Sequence, residues 1–124
     1  MTTDKQTILI VEDDADSRNA ICTIIDGLGF KHVSFASAKE ALAQIRNLKI
    51  DLALLDIMMP EMDGYELLAE IRKIEAFKTL PVIMVTAKDQ DAEVLEGYRY
   101  GADYYIPKPF TSQQLGYGIK LFLS

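Results

Sequence analysis

The stretch Ile8-Leu9-Ile10-Val11-Glu12-Asp13-Asp14-Ala15-Asp16 runs an apolar, β-prone segment straight into four carboxylates packed within six residues. Negative charge stacked at the end of a buried strand weakens a fold unless a cation or a cationic side chain answers it. The apolar half says what kind of strand this is. Residues 7–11 are apolar at nearly every position, the mark of a strand covered on both faces. Four more β-prone runs follow, at residues 32–36, 52–55, 82–86 and 104–106.

Helical patterns separate these runs. Ile21, Ile24, Ile25 and Leu28 keep the i, i+3, i+4, i+7 spacing, Asp14 or Asp16 caps their helix, and the glycines of DGLGF close it. Ser37-Ala38-Lys39-Glu40 is a capping-box signature ahead of Ala41, Leu42, Ile45 and Leu48. Asp63 or Gly64 opens a third helix that turns Leu67, Leu68, Ile71 and Ile74 toward the sheet. Asp89 or Asp91 opens a fourth, ending near Gly101, and Thr111 or Ser112 opens a fifth. Strand and helix alternating five times imply a parallel sheet with helices on both faces, because parallel neighbours need right-handed crossovers. The expected fold is a doubly wound α/β domain of five strands and five helices. Ligands of such sheets bind beyond the carboxyl ends of the strands, where strand order reverses.

A length of 124 residues suits one domain, residues 1–124, able to bury an ordinary core without staples. The single cysteine, Cys22, excludes an intramolecular disulfide, and there is no Cys/His cluster of zinc type. A reducing compartment, the cytoplasm, is the expected location, and no leader or membrane-length apolar run stands against it. A net charge of −6 argues against direct capture of nucleic acid.

The chemistry gathers at one rim of the expected sheet. Glu12 and Asp13 follow the first strand, Asp56 the third, Thr86 ends the fourth and Lys108 follows the fifth. Two carboxylates ~5 Å apart at an effective dielectric of ~20 repel by about 3 kcal/mol. Lys108 neutralises one charge, and a hard divalent cation with oxygen ligands answers the remainder. Mg²⁺ suits such a site, since it needs only a couple of carboxylates besides water and phosphate oxygens. Asp56 is then a candidate nucleophile forming an acyl phosphate. Thr86 is placed to donate its hydroxyl to a phosphoryl oxygen, and Lys108 to pair with another. Taken singly, Thr86 reads as a strand-end hydroxyl and Lys108 as a surface lysine; in register with three acids they do not.

Four fragments, ILIVEDDADSR, LALLDIMMPEMDGYELL, PVIMVTAK and GADYYIPKPF, stand in that order over essentially the whole chain. Together they resemble the receiver domain of two-component response regulators. That resemblance implies a flavodoxin-like sheet of strand order 2-1-3-4-5. It implies that Asp56 accepts phosphate from a sensor histidine kinase or a phosphotransfer protein, and that Mg²⁺ is held by Glu12, Asp13, Asp56 and the backbone carbonyl of Met58. Thr86 becomes the switch hydroxyl, Lys108 the phosphate-pairing lysine, Tyr105 an aromatic rotamer switch, and the Lys108–Pro109 bond cis. The chain would then be a signalling module that assists its own phosphorylation and dephosphorylation, not a metabolic enzyme. The face formed by the fourth helix, fifth strand and last helix would meet an output domain, a downstream protein or a second copy. No direct contact with nucleic acid or membrane is expected.

Several positions depart from the commonest pattern of that family. Glu12 stands where aspartate is more usual, Met58 and Lys88 occupy positions that modulate phosphate lifetime, and Pro107 stiffens the loop before Lys108. Gly116 and Gly118 cost the last helix roughly 2 kcal/mol of propensity relative to alanine, so a marginal or partner-stabilised helix is expected there. Tyr98, Tyr100, Tyr104, Tyr105 and Tyr117 crowd the last third, as at an interface. Met58, Met59 and Met62 read as gap-fillers near the site, and His32 and Cys22 as structural.

Three rival functions share parts of this pattern. A flavin carrier of flavodoxin type needs a hydroxyl- and glycine-rich loop after the first strand, where VEDDAD would repel the phosphate. A phosphohydrolase with an aspartyl nucleophile places a second acid two residues later, where this chain has Met58. The third is a receiver-shaped adaptor that never uses its phosphate site, and the intact set of five rim residues argues against it.

Overall fold

Each of the five β-prone runs forms a strand in the computed structural model, which describes residues 5–86 and 101–123. The strands are β1 (Thr7–Val11), β2 (Lys31–Phe35), β3 (Leu52–Asp56), β4 (Val82–Thr86) and β5 (Tyr104–Pro107). They form one parallel sheet in the order β2-β1-β3-β4-β5. The chain leaves β1 for one side and returns to β3 on the other, so the reversal of strand order lies between the carboxyl ends of β1 and β3.

Alternation along the strands divides the core into two layers. Leu9, Val11, Ala53, Leu55, Val82 and Met84 face the layer covered by α2 (Ala38–Gln44) and α3 (Gly64–Arg72). Ile8, Ile10, Leu52, Leu54, Ile83 and Val85 face the layer of α1 (Ala15–Leu28) and the C-terminal helix (Ser112–Lys120). The three central strands are buried along almost their whole length, hence their unbroken apolar runs.

The helix ends follow the expected chemistry. Asp14 caps α1 by accepting from Ser17 N, and Gly29 closes it at φ 89°, a left-handed conformation that glycine adopts without penalty. Ser37 caps α2 through Glu40 N, one half of the expected box. Asp63 with Glu66 and Thr111 with Gln114 form full reciprocal boxes at α3 and the C-terminal helix. Two helices end earlier than the apolar periodicity suggests. Ile45 and Leu48 belong to a 3₁₀ turn (Ile45–Asn47) and its exit, and Ile74 is buried beyond the end of α3. The expected fourth helix, with Lys88, Tyr98 and Tyr100, lies outside the described residues.

The two glycines of the C-terminal helix have a packing role that propensity alone does not show. The helix is formed, and both are buried contact points. A Cβ on Gly118 would come within 2.9 Å of Ile106 Cδ1 and 3.2 Å of the Tyr104 ring, and one on Gly116 would meet Leu28 at 3.5 Å. Lost helix propensity is exchanged for close approach to β5 and α1.

Arg72, at the end of α3, ties three segments together. Its guanidinium donates to the carbonyls of Phe77 (3.1 Å), Leu80 (2.6 Å) and Gly101 (2.8 Å) and meets Asp103 at 3.3 Å. Asp103 in turn accepts from Val82 N at 2.8 Å, so the amino ends of β4 and β5 are locked to α3.

Candidate functional site

Strand register alone brings the rim residues together. Val11 lies opposite Leu55, so Glu12, one residue on, stands beside Asp56; Asp56 lies opposite Val85, and Thr86 opposite Pro107. The Lys108 N–H donates to the Thr86 carbonyl at 2.6 Å, which fixes the lysine at the same rim. The Lys108–Pro109 bond is cis, as the resemblance implies.

Three acids converge there from two loops. Glu12, Asp13 and Asp56 each offer a carboxylate oxygen, and these atoms lie within 4.8 Å of one another. Glu12 is 1% exposed, Asp56 5% and Thr86 3%, whereas Asp13 opens to solvent. The Glu12 loop is pinned on both sides. Its N–H donates to the Phe35 carbonyl at 3.1 Å, and its own carbonyl accepts from Arg18 Nη1 of α1 at 2.9 Å. Sequence reasoning missed Arg18 in this position; it stands in the quoted DDADSR fragment, but nothing in the periodicity marks it as holding a carbonyl six residues back.

Lys108 supplies the cation, and its nearest partner is not Asp56. Its Nζ lies 2.6 Å from Glu12 Oε1 and 3.7 Å from Asp56 Oδ1. Burial depresses the Lys108 ammonium, but the Glu12 hydrogen bond and the charges of Asp56, Glu12 and Asp13 outweigh it and hold its pKa above that of ordinary lysine. Asp56 moves the same way for the opposite reason. Burial first, then the hydrogen bond and charge of Glu12, lift its carboxyl from the usual 3.8 to about 7, against the pull of Lys108. Such a carboxylate is under-compensated, and a divalent cation fits the set: oxygen ligands only, excess negative charge and one open side at Asp13.

The β3–α3 loop closes over Asp56. Met58 N stands 3.4 Å from Asp56 Oδ1, and Gly64 N donates to the Ile57 carbonyl at 2.9 Å. The Met58 side chain is 54% exposed, which corrects the expectation that it fills a gap; of the three loop methionines, Met59 and Met62 pack against the core. Its side chain therefore lies out in solvent at the mouth of the site. On β5, Tyr105 is half-buried against the core, its hydroxyl donating to that of Tyr65 on α3 at 3.3 Å. His32 pairs with Asp26 at 3.0 Å and Cys22 packs half-buried beside the α1 core, consistent with structural roles.

Residues 8–120 match the model of the response regulator receiver domain. The chain belongs to that family. This receiver domain is 39% identical over 106 residues to the regulatory protein VanRc of Enterococcus gallinarum, covering 86% of the chain and 45% of the relative. It is 37% identical over 115 residues to the DNA-binding response regulator MtrA of Mycobacterium tuberculosis, covering 93% of the chain and 49% of MtrA. The chain thus spans about half the length of the curated relatives it matches. Among solved structures, chemotaxis protein CheY4 of Vibrio cholerae superposes with a TM-score of 0.93 at 26% identity, over 97% of this chain and 100% of that one. Receiver domains are signalling modules of phosphorelays rather than classical enzymes. Among the described residues no helix is long and apolar enough to cross a membrane.

Proposed function

We propose that residues 1–124 form one receiver unit in which Asp56 takes a phosphoryl group from a sensor histidine kinase or phosphotransfer protein. Mg²⁺ would be held by Glu12, Asp13, Asp56 and the backbone carbonyl of Met58. The observation that carries this reading is the convergence of the three carboxylates within 4.8 Å beside Lys108. When bound, the cation neutralises the acids and draws charge from the phosphoryl oxygens. An Asp56 oxygen forms the new P–O bond as the P–N bond of a phosphohistidine breaks, and the departing imidazole takes up a proton. Lys108 pairs with one phosphoryl oxygen, and the Met58 N–H is placed to donate to another.

The added group carries a charge of roughly −1.5 to −2. Thr86, at the end of β4, donates its hydroxyl to it, a bond worth about 1.5–3 kcal/mol. Moving a balance from about 1:99 to 99:1 needs about 5.5 kcal/mol, so Thr86 acts together with Lys108 and backbone donors. Withdrawal of Thr86 opens space beside β4 into which Tyr105 turns, giving up Tyr65. The readout face carries a groove of about 610 Å³ lined in part by Tyr104, Tyr105 and Tyr117. An output domain, a downstream protein or a second copy docks there, in the cytoplasm. DNA binding, where the regulator has it, belongs to another domain.

The test is incubation with acetyl phosphate or phosphoramidate and Mg²⁺, followed by intact mass. One phosphoryl adduct, absent in Asp56→Asn, is the expected result. No adduct with any donor would leave the chain a phosphate-independent adaptor.

A further inference from the structure

Met58 puts an apolar side chain in water at the rim of an acidic pocket. It is 54% exposed, whereas Met59 and Met62 of the same loop pack against the core and Met84 on β4 is fully buried. The backbone nitrogen of Met58 stands 3.4 Å from Asp56 Oδ1, which ties this exposed thioether to the mouth of the site. A thioether offers only a weak acceptor there. Its distinctive chemistry is oxidation, which follows exposure. The competing sulfur is poorly placed for that reaction. Cys22 packs half-buried beside the α1 core, and burial pushes its thiol above the ordinary cysteine range, so little of the reactive thiolate is present at neutral pH.

Resting on the reading of Asp56 as the phosphoacceptor, we propose that Met58 is a selective oxidation site for hydrogen peroxide, and that its sulfoxide shortens the life of the acyl phosphate. The sulfur lone pair attacks one peroxide oxygen, the O–O bond breaks and an S–O bond forms, so that sulfur gives up the two electrons that the peroxide gains. The proton on the transferred oxygen passes to the departing hydroxide, which leaves as water. A methionine sulfoxide reductase reverses the change at the expense of a dithiol, which becomes a disulfide as the oxygen departs in water. The sulfoxide replaces an apolar tip with a strong hydrogen-bond acceptor. Hydrolysis needs a water in line with the Asp56 oxygen that leaves, hence from the solvent side, where Met58 lies. The sulfoxide oxygen holds that water, and one neutral hydrogen bond is worth about a fivefold rate increase.

The experiment treats the chain with hydrogen peroxide, quenches with catalase and locates the sulfoxide by peptide mass spectrometry. The same preparation is loaded with acetyl phosphate and Mg²⁺, freed of donor, and followed by intact mass as the phosphoryl group is lost. Sulfoxide is expected at Met58 ahead of Met59, Met62 and Met84, with decay about fivefold faster and the thermal midpoint unmoved. In Met58→Leu, peroxide should leave that variant's own decay rate unchanged. Reductase with dithiothreitol should return the oxidised chain to its original rate, and this arm decides if Met58→Leu fails to fold or to load. Oxidation of the other three methionines at the same pace, no sulfoxide at Met58, or Met58 sulfoxide with unchanged or slower decay would overturn the proposal. So would equal acceleration in treated Met58→Leu, or an accelerated decay that the reductase does not reverse. Failure of the untreated chain to take up phosphate would instead sink the phosphoacceptor reading, and the lifetime effect with it.

Discussion

Gly64, the first residue of α3, sits on the backbone of Asp56. A Cβ at Gly64 would overlap the Asp56 carbonyl oxygen and come within 2.9 Å of Ile57 Cα and 2.8 Å of the Met84 methyl group. The loop between β3 and α3 folds back this tightly only because no side chain intervenes. Two of those neighbours are backbone and cannot step aside, so Gly64→Ala is expected to cost about 2–3 kcal/mol. It should also displace Asp56. Urea unfolding checks the first effect, and a weakened Mg²⁺ affinity in the folded fraction checks the second.

Asp56 also ties stability to pH. Its folded pKa of about 7 stands above the ordinary 3.8, so between these values the folded chain holds more proton than the unfolded one. Stability conferred by that proton is present at low pH and is lost as pH rises through about 7. Asp56→Asn should therefore be more stable than the unmodified chain at pH 8, on the order of 1–2 kcal/mol after allowance for solvent screening, with the gap closing toward pH 4. Thermal unfolding across that range in EDTA measures it; a gap that widens toward low pH contradicts the assignment.

Mg²⁺ should offset the same penalty. Metal at ten times its pH 8 Kd stabilises the fold by about 1.4 kcal/mol, and the same metal concentration should give less at pH 6, where a proton competes at Asp56. Melting curves at both pH values, with and without Mg²⁺, give the comparison.

Arg72 holds the opposite end of the sheet. Removing its fork in Arg72→Ala leaves the carbonyls of Phe77, Leu80 and Gly101 without that donor and strips Asp103 of its ion pair. A loss of about 3 kcal/mol is expected, and Arg72→Lys should recover only part of it, because an ammonium cannot span the same acceptors. Denaturant midpoints of the three proteins decide.

The glycines of the C-terminal helix separate propensity from packing. Gly116→Ala meets Leu28 at ordinary contact distance and should gain up to about 1 kcal/mol, whereas Gly118→Ala crowds Ile106 and Tyr104 and should gain nothing or lose stability. Equal gains in both variants would mean that the helix does not pack as closely as described.

What the chain's letters disclose follows the range of the interaction. The strands were legible to within a residue or so, because burial on both faces leaves unbroken apolar runs, and the rim acids were legible because strand ends point them one way. Contacts between distant positions left no local mark. Lys108 and Glu12 stand 96 residues apart, so their pairing is visible only once the register has closed. Arg72 reads as one more polar residue at a helix end until the carbonyls it gathers are in place. Gly116 and Gly118 read as helix breakers because propensity is local, while the approach that needs them is not. Met58 misled in the same way: an apolar side chain beside an acidic site suggests packing, but the loop turns it to solvent.

Acids from two loops around a hard metal should leave Asp56 able to take a phosphoryl group. Borohydride reduction of the chain after acetyl phosphate treatment, with peptide mapping by tandem mass spectrometry, tests it most directly. A modified residue at position 56, formed with Mg²⁺ and absent with EDTA, is the expected result; modification at another residue, or at Asp56 regardless of metal, would refute the metal-dependent phosphoacceptor.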